Sequence, residues 1–146
     1  MNPAIEEFVQ GKRLAVVGVS RSTKKFGNII NTELKQRGYQ TFIIHPEAKE
    51  IAGEPCYPSL SAVKNQVDGV VISVAPKNAL TVVREAAEAG MKHIWLQQGA
   101  ENPEVLALGR ELGVNLITGK CILMYAQPVT GFHGWHRTFA RIFGQM

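Results

Sequence analysis

Gly18 and Gly27 bracket a loop carrying Ser20, Arg21, Lys24 and Lys25, between the apolar run Leu14-Ala15-Val16-Val17 and a stretch with helical spacing. Glycines, a hydroxyl and three cations between a strand and a helix are the parts of a phosphate-binding turn. At Gly18 the chain must turn sharply, and a Cβ would hold backbone N–H groups away from an anion. Gly27 stands just ahead of the helix, whose free N–H groups and positive dipole end face the same anion. The expected ligand carries phosphate. The spacing differs from the dinucleotide fingerprint G-x-G-x-x-G: Gly18 and Gly27 are nine positions apart, and Ser20 stands where the middle glycine would be. No G-K-[ST] follows, which argues against a P-loop nucleotidase.

The elements that must position this turn follow from periodicity. Four consecutive apolar residues cannot be a half-exposed strand, so Leu14 to Val17 belongs inside a parallel sheet covered on both faces. Ahead of it, Pro3 to Gln10 reads as a short helix with Asn2 as N-cap and Gly11 as its stop. Asn28 to Arg37 carries Ile29, Ile30 and Leu34 at helical spacing and ends at Gly38. Tyr39 to Ile44 is the second strand, ended by His45-Pro46. Glu47 to Pro58 reads as irregular, and Ser59 opens a short helix through Gln66. Gly69 to Val74 is the third strand, Lys77 to Ala89 a helix, His93 to Leu96 the fourth strand. Asn102-Pro103 opens another helix that Gly113 closes, and Asn115 to Ile117 is the fifth strand. This alternation predicts a Rossmann-like, doubly wound parallel five-stranded α/β sheet in three layers, with strand order 3-2-1-4-5.

Ligands of such sheets bind outside the carboxyl ends of the strands. The loops there run from Gly18 to Gly27, His45 to Lys49, Ala75 to Asn78, Gln97 to Glu101 and Thr118 to Ile122. They hold Ser20, Arg21, Lys24, Lys25, Lys49, Lys77 and Lys120 against Glu47 and Glu101, so charge supports the anion site independently of the turn. A dinucleotide-binding domain ends its second strand with Asp or Glu for the ribose hydroxyls. Here His45-Pro46 occupies that place, with Lys49 close behind. An NAD reading loses support and a ligand with an extra phosphate near the ribose gains it. Ser73-Val74-Ala75-Pro76 offers a slim wall for an adenine, or Pro76 simply begins the next helix.

The 146 residues amount to one domain, 45% hydrophobic and 19% charged, as in an ordinary soluble globule. No apolar run approaches the ~20 residues of a bilayer span, and residues 1 to 10 lack the features of a secretory signal. Cys56 and Cys121 are too few for a disulfide framework and lack metal-ligand spacing. A cytoplasmic protein is expected. The net charge of +4 favours an anionic partner without distinguishing nucleic acid from a phosphorylated small molecule.

Taken in order, Gly18-Val19-Ser20, His45-Pro46, Glu50-Ile51-Ala52-Gly53, Cys56-Tyr57-Pro58-Ser59-Leu60, Ser73-Val74-Ala75-Pro76, Trp95-Leu96-Gln97-Gln98-Gly99 and Lys120-Cys121-Ile122 form a set. This set resembles the small single-domain CoA-binding proteins and, through them, the N-terminal CoA-binding domain of the succinyl-CoA synthetase alpha subunit. The resemblance runs from about Lys12 to Ile122. It implies a Rossmann-like fold and bound coenzyme A or a CoA thioester. Gly18, Val19, Ser20 and the basic residues after them would hold the phosphates, and Pro46 and Lys49 would lie near the phosphorylated ribose. Val74, Ala75 and Pro76 would flank the adenine or the start of the pantetheine arm, with Gln98 and Gly99 opposite. The candidate ligand-binding set is Gly18, Val19, Ser20, Arg21, Lys24, Lys25, Phe26, Gly27, His45, Pro46, Lys49, Val74, Ala75, Pro76, Asn78, Gln98, Gly99 and Cys121. No segment after residue 122 matches the synthetase domain that carries the phosphorylated histidine, so a non-catalytic CoA-binding protein is expected.

Cys121 ends the fifth strand, where the resemblance would bring the thiol end of CoA within reach. It is either a small strand-end residue or a thiol lowered in pKa beside Lys120 that reacts with CoA. Cys56 reads as packing. Residues 1 to 122 form the expected binding domain. In the tail from 123 to 146, Gly131 to Phe143 carries Trp135, Phe139 and Ile142 on one face and Arg137 and Arg141 on another, a basic amphipathic helix expected to dock on its own sheet or on a second subunit, the alternative being a membrane-surface or nucleic-acid role. His133 and His136 lack a third metal ligand. The partners expected are CoA or an acyl-CoA and a second copy in a homodimer, with no nucleic acid and no membrane span. The rivals are an acyl-CoA-handling enzyme or partner-dependent ligase fragment using Cys121 or His45, an NAD(P)-binding protein, and a regulatory module signalling through the tail.

Overall fold

A computed structural model describes residues 3–21 and 25–126. Helix α1 (Pro3–Gln10) leads into strand β1 (Arg13–Val17), helix α2 (Phe26–Gln36) and strand β2 (Gln40–Ile44). A hairpin of β3 (Glu50–Ile51) and β4 (Glu54–Tyr57) follows, then a 3₁₀ turn over Leu60–Val63 and strand β5 (Gly69–Ile72). Helix α3 (Pro76–Glu88), strand β6 (His93–Gln97), helix α4 (Pro103–Leu112), strand β7 (Asn115–Lys120) and a second 3₁₀ turn over Ile122–Met124 complete the described chain.

The sheet has seven strands, not five, in the order β3-β4-β2-β1-β5-β6-β7. All neighbours are parallel except β3 and β4, which pair antiparallel. The expected order 3-2-1-4-5 is corrected accordingly. Gly69–Ile72 lies beside β1 on the side away from β2, in register Val17 to Ile72. The position outside β2 belongs to β4, inside the stretch read as irregular. Its four residues lie next to the two-residue edge strand β3, none of them is buried, and they include Pro55, so neither apolar alternation nor a continuous apolar run marks them. The hairpin turns at Ala52 and Gly53, both with positive φ, 51° and 82°. Ala-Gly is a weak signal for such a turn beside Asn-Gly.

Other boundaries shift by one to three residues. Helix α2 begins at Phe26, which puts Gly27 in its first turn, and β7 continues to Lys120 instead of stopping at Ile117. The helix opened by Asn102-Pro103 forms as read. Asn102 Oδ1 accepts the Val105 N–H at 2.9 Å, a cap contributing about 1 kcal/mol, and Gly113 closes the helix in the left-handed conformation.

Two cores form the three layers. One joins α1, α2 and the second 3₁₀ turn to one face of the sheet, and the other joins the first 3₁₀ turn, α3 and α4 to the opposite face. Trp95 is fully buried, edge-on to Phe8 at 5.3 Å, and its Nε1 donates to the Lys120 carbonyl. Buried Arg37 at the end of α2 donates from Nη1 to the carbonyls of Leu123 and Ala126, at 2.7 and 3.3 Å, and so pins the close of the described chain to α2. The basic amphipathic helix expected between Gly131 and Phe143, with His133 and His136, lies outside the described residues. No described helix is long and apolar enough to cross a membrane.

Candidate functional site

The parallel register brings the ends of β1, β5 and β6 together. Ser73 N–H donates to the Val17 carbonyl at 2.8 Å, extending the β1–β5 pairing by one residue and setting Ser73 against Gly18. Gly18 has φ of 120°, and a Cβ there would overlap the Ser73 carbonyl. The glycine therefore serves close backbone approach as well as the turn itself. A Cβ on Gly27 would likewise overlap the Gly18 carbonyl, so the first turn of α2 rests directly on the end of β1. Asn28 fastens the same turn from within α2. Its Oδ1 accepts the Ser20 N–H at 3.0 Å, and its Nδ2 donates to the Ser20 carbonyl at 2.8 Å.

Between these strand ends lies a cleft of about 520 Å³. Of the residues anticipated from sequence, it brings together Gly18, Ser20, Lys25, Phe26, Gly27, Val74, Ala75, Asn78, Gln98 and Gly99. Two helices point their N-termini toward it. Lys25 is the N-cap of α2 and Ala75 that of α3, and neither supplies a side-chain hydrogen bond to its helix. No N-cap side chain therefore competes with an anion at either helix start, and the helix dipoles favour negative charge in the same place.

Ser73, Gln97 and Ala100 also line the cleft; they belong to the Ser73-Val74-Ala75-Pro76 wall and the Gln97 to Glu101 loop expected at this edge, but stand outside the candidate ligand-binding set. Reading the fourth strand as ending at Leu96 put Gln97 at the start of the polar loop that runs to Glu101, whereas β6 includes it. In the fold Gln97 is 2% exposed, and its Oε1 accepts the Ile122 N–H at 2.6 Å. Glu101 closes the same corner, its two carboxylate oxygens each accepting a backbone N–H at 2.9 Å, from Gly99 and from Gly119.

The other described residues of the anticipated set do not line this cleft. Val19 is buried on the far side of the turn, in a smaller hollow of about 280 Å³ between α2 and the β3–β4 hairpin. Arg21 is exposed, Pro76 is the exposed first residue of α3, and Lys24 lies outside the described residues. His45, Pro46 and Lys49 follow β2. Pro46 lines a third hollow, of about 470 Å³, between the first 3₁₀ turn and α3. His45 Nδ1 accepts the N–H groups of Glu47 and Ala48, at 3.1 and 2.9 Å, which shapes this loop. Cys121 is 2% exposed and packs in the core behind Gln97. Burial pushes its thiol pKa up, and a hydrogen bond from Gln97 opposes this only in part. That is opposite to the direction a reactive thiolate beside Lys120 requires.

Residues 12–127 match the CoA binding domain family. The chain belongs to this family. Among the relatives of this CoA-binding domain is the ADP-forming acetate–CoA ligase I of Archaeoglobus fulgidus, 26% identical over 94% of the present chain and 21% of the ligase. The chain thus spans about a fifth of the ligase's length. The uncharacterized protein YneT of Bacillus subtilis is 28% identical, over 81% of this domain and 88% of YneT. In three dimensions, a conserved hypothetical protein of Pyrococcus furiosus superposes with a TM-score of 0.72 at 39% identity, covering 76% of this chain and 96% of that one.

Proposed function

We propose that this chain binds coenzyme A or an acyl-CoA across the carboxyl edge of its sheet and, by itself, catalyses no reaction on it. The observation that carries the reading is the cleft between the α2 and α3 N-termini, both without side-chain caps and with Lys25 and Ser20 beside them. The diphosphate lies against Gly18, Ser20, Gly27 and Lys25, and the phosphorylated ribose lies toward Pro46 and Lys49. Val74, Ala75 and Pro76 flank the adenine or the start of the pantetheine arm, and Gln98 and Gly99 form the wall opposite. A volume of about 520 Å³ is within the usual range for ligand clefts. Lys25 is the one ionisable side chain among the described residues lining it. General acid–base work needs a titratable group in reach of the reacting atoms, and a single exposed lysine at the phosphate end suits binding better than turnover.

Calorimetry with CoA, acetyl-CoA, NAD and NADP on reduced protein freed of copurified ligand tests this. CoA binding without dinucleotide binding is expected, and Lys25→Glu should weaken it by about tenfold or more through loss of a charge-assisted contact. Binding of NAD or NADP alone, or of none of the four, would overturn the reading.

A further inference from the structure

We propose that Asn28 is the positioning residue of the phosphate turn, closing it onto α2 from the side away from the ligand. The inference rests on the CoA reading above. Asn28 is 9% exposed, and both polar atoms of its side chain are spent on one peptide position, the N–H and the carbonyl of Ser20. The pairing imitates one rung of a sheet and needs a donor and an acceptor on the same short side chain. Aspartate lacks the donor, serine cannot span both contacts, and glutamine is one carbon longer. Helix propensity does not explain an asparagine here, since alanine would favour the helix more.

Its location separates positioning from contact. Ser20 lines the cleft, whereas Asn28 lines the smaller hollow behind the turn, beside Val19 and Ile29. The clamp is the partition between the two spaces. It also answers the glycine spacing. A loop with its glycines nine positions apart has more freedom to lose than the short dinucleotide fingerprint, and the amide fastens it at Ser20, directly after the Gly18–Ser73 contact. A turn ordered before the ligand arrives removes that ordering cost from binding.

Asn31 supplies the matched control. It lies one turn further along α2, is 3% exposed, lines the same hollow and donates to Glu54 on the hairpin instead of to the turn. CoA affinity is measured by calorimetry on the full chain for wild type, Asn28→Ala and Asn31→Ala, with the thermal midpoint of each variant as the measure of folding. Asn28→Ala should weaken CoA by about tenfold, and Asn31→Ala, whatever it costs in stability, should leave the affinity within about twofold of wild type. Should Asn28→Ala not fold, the isosteric Asn28→Asp takes its place. It keeps the acceptor, sets a carboxylate oxygen against the Ser20 carbonyl, and should lose at least as much. Wild-type affinity in the Asn28 variant, or equal weakening in both variants, would overturn the positioning role while leaving CoA binding intact. Absence of CoA binding in wild type would instead remove the functional reading and this inference with it.

Discussion

Gly27, in the first turn of α2, lies so close to the carbonyl oxygen of Gly18 that a Cβ on Gly27 would overlap it. Gly18 in turn has no room for a Cβ against the Ser73 carbonyl. Helix, turn and the end of β5 are thus stacked backbone on backbone, and backbone cannot swing aside as a side chain tip can. Gly27→Ala should therefore cost about 1–3 kcal/mol, as for overpacking of a filled site, read as a lower urea midpoint with unchanged slope. It should weaken CoA as well. Gly90→Ala is the contrast, because at φ of 84° it has nothing within 4 Å of an added Cβ. It should carry the cost of its dihedral alone, about 1–2 kcal/mol, and leave CoA affinity unchanged. Equal CoA affinity in wild type and Gly27→Ala would mean that the helix can withdraw from the turn without consequence.

The two cysteines should differ in reactivity. Cys121 is 2% exposed, with its thiol pKa raised by burial, while Cys56 is half-buried and its thiol is raised chiefly by desolvation and then by Glu54 and Glu50. Access decides between two thiols that both ionise reluctantly. In native protein at mildly alkaline pH, a thiol reagent should modify Cys56 first and reach Cys121 only after denaturation. CoA disulfide should leave Cys121 without an adduct by non-reducing mass spectrometry. An adduct on native Cys121 would bring the thiol end of the ligand behind Gln97 and revive the covalent reading.

At the opposite edge of the sheet, Asp68 holds the start of β1. It takes the Arg13 guanidinium at 2.9 Å on Oδ1 and the Arg13 N–H at 3.0 Å on Oδ2. The Arg13 side-chain hydrogen bond, chief among the causes, keeps the Asp68 carboxyl below its ordinary pKa of 3.8. The folded protein therefore binds this proton less readily than the unfolded chain. The stabilisation is complete above the ordinary aspartate pKa and is lost as pH falls through the depressed folded value. Both side chains are partly exposed, at 50% and 35%, so solvent screening keeps the effect small. Asp68→Asn should lower the thermal midpoint at neutral pH, and the gap to wild type should close on acidification below the ordinary aspartate range. A gap that stays constant across pH would assign the loss to geometry instead of charge.

Much of the architecture is local and was readable as such. Leu14 to Val17 and Gly69 to Ile72 are continuous apolar runs because both faces of a central parallel strand are buried. Helix α4 announces itself through Asn102, Pro103 and Gly113, each acting on its own backbone. The hairpin did not announce itself. Glu54–Tyr57 is a strand because β2 offers it an edge, in register Ile43 to Cys56, and nothing within those four residues requires it. Missing that strand displaced the third one in the expected order.

The site divides in the same way. Residue types and spacing alone were enough to propose an anion at the turn after the first strand, since glycine, serine and lysine act there through their own backbone freedom and charge. The order of the loops along the chain was enough to identify the family. Which of those residues share one cleft was decided by tertiary structure, because it depends on strand register and on which side of the sheet each crossover passes. Register set Ser73 against Gly18, carried Gln97 into the wall, and left Cys121 behind it. The contact of Asn28 with Ser20 spans eight positions and a loop, and it exists only once α2 has docked on the end of β1.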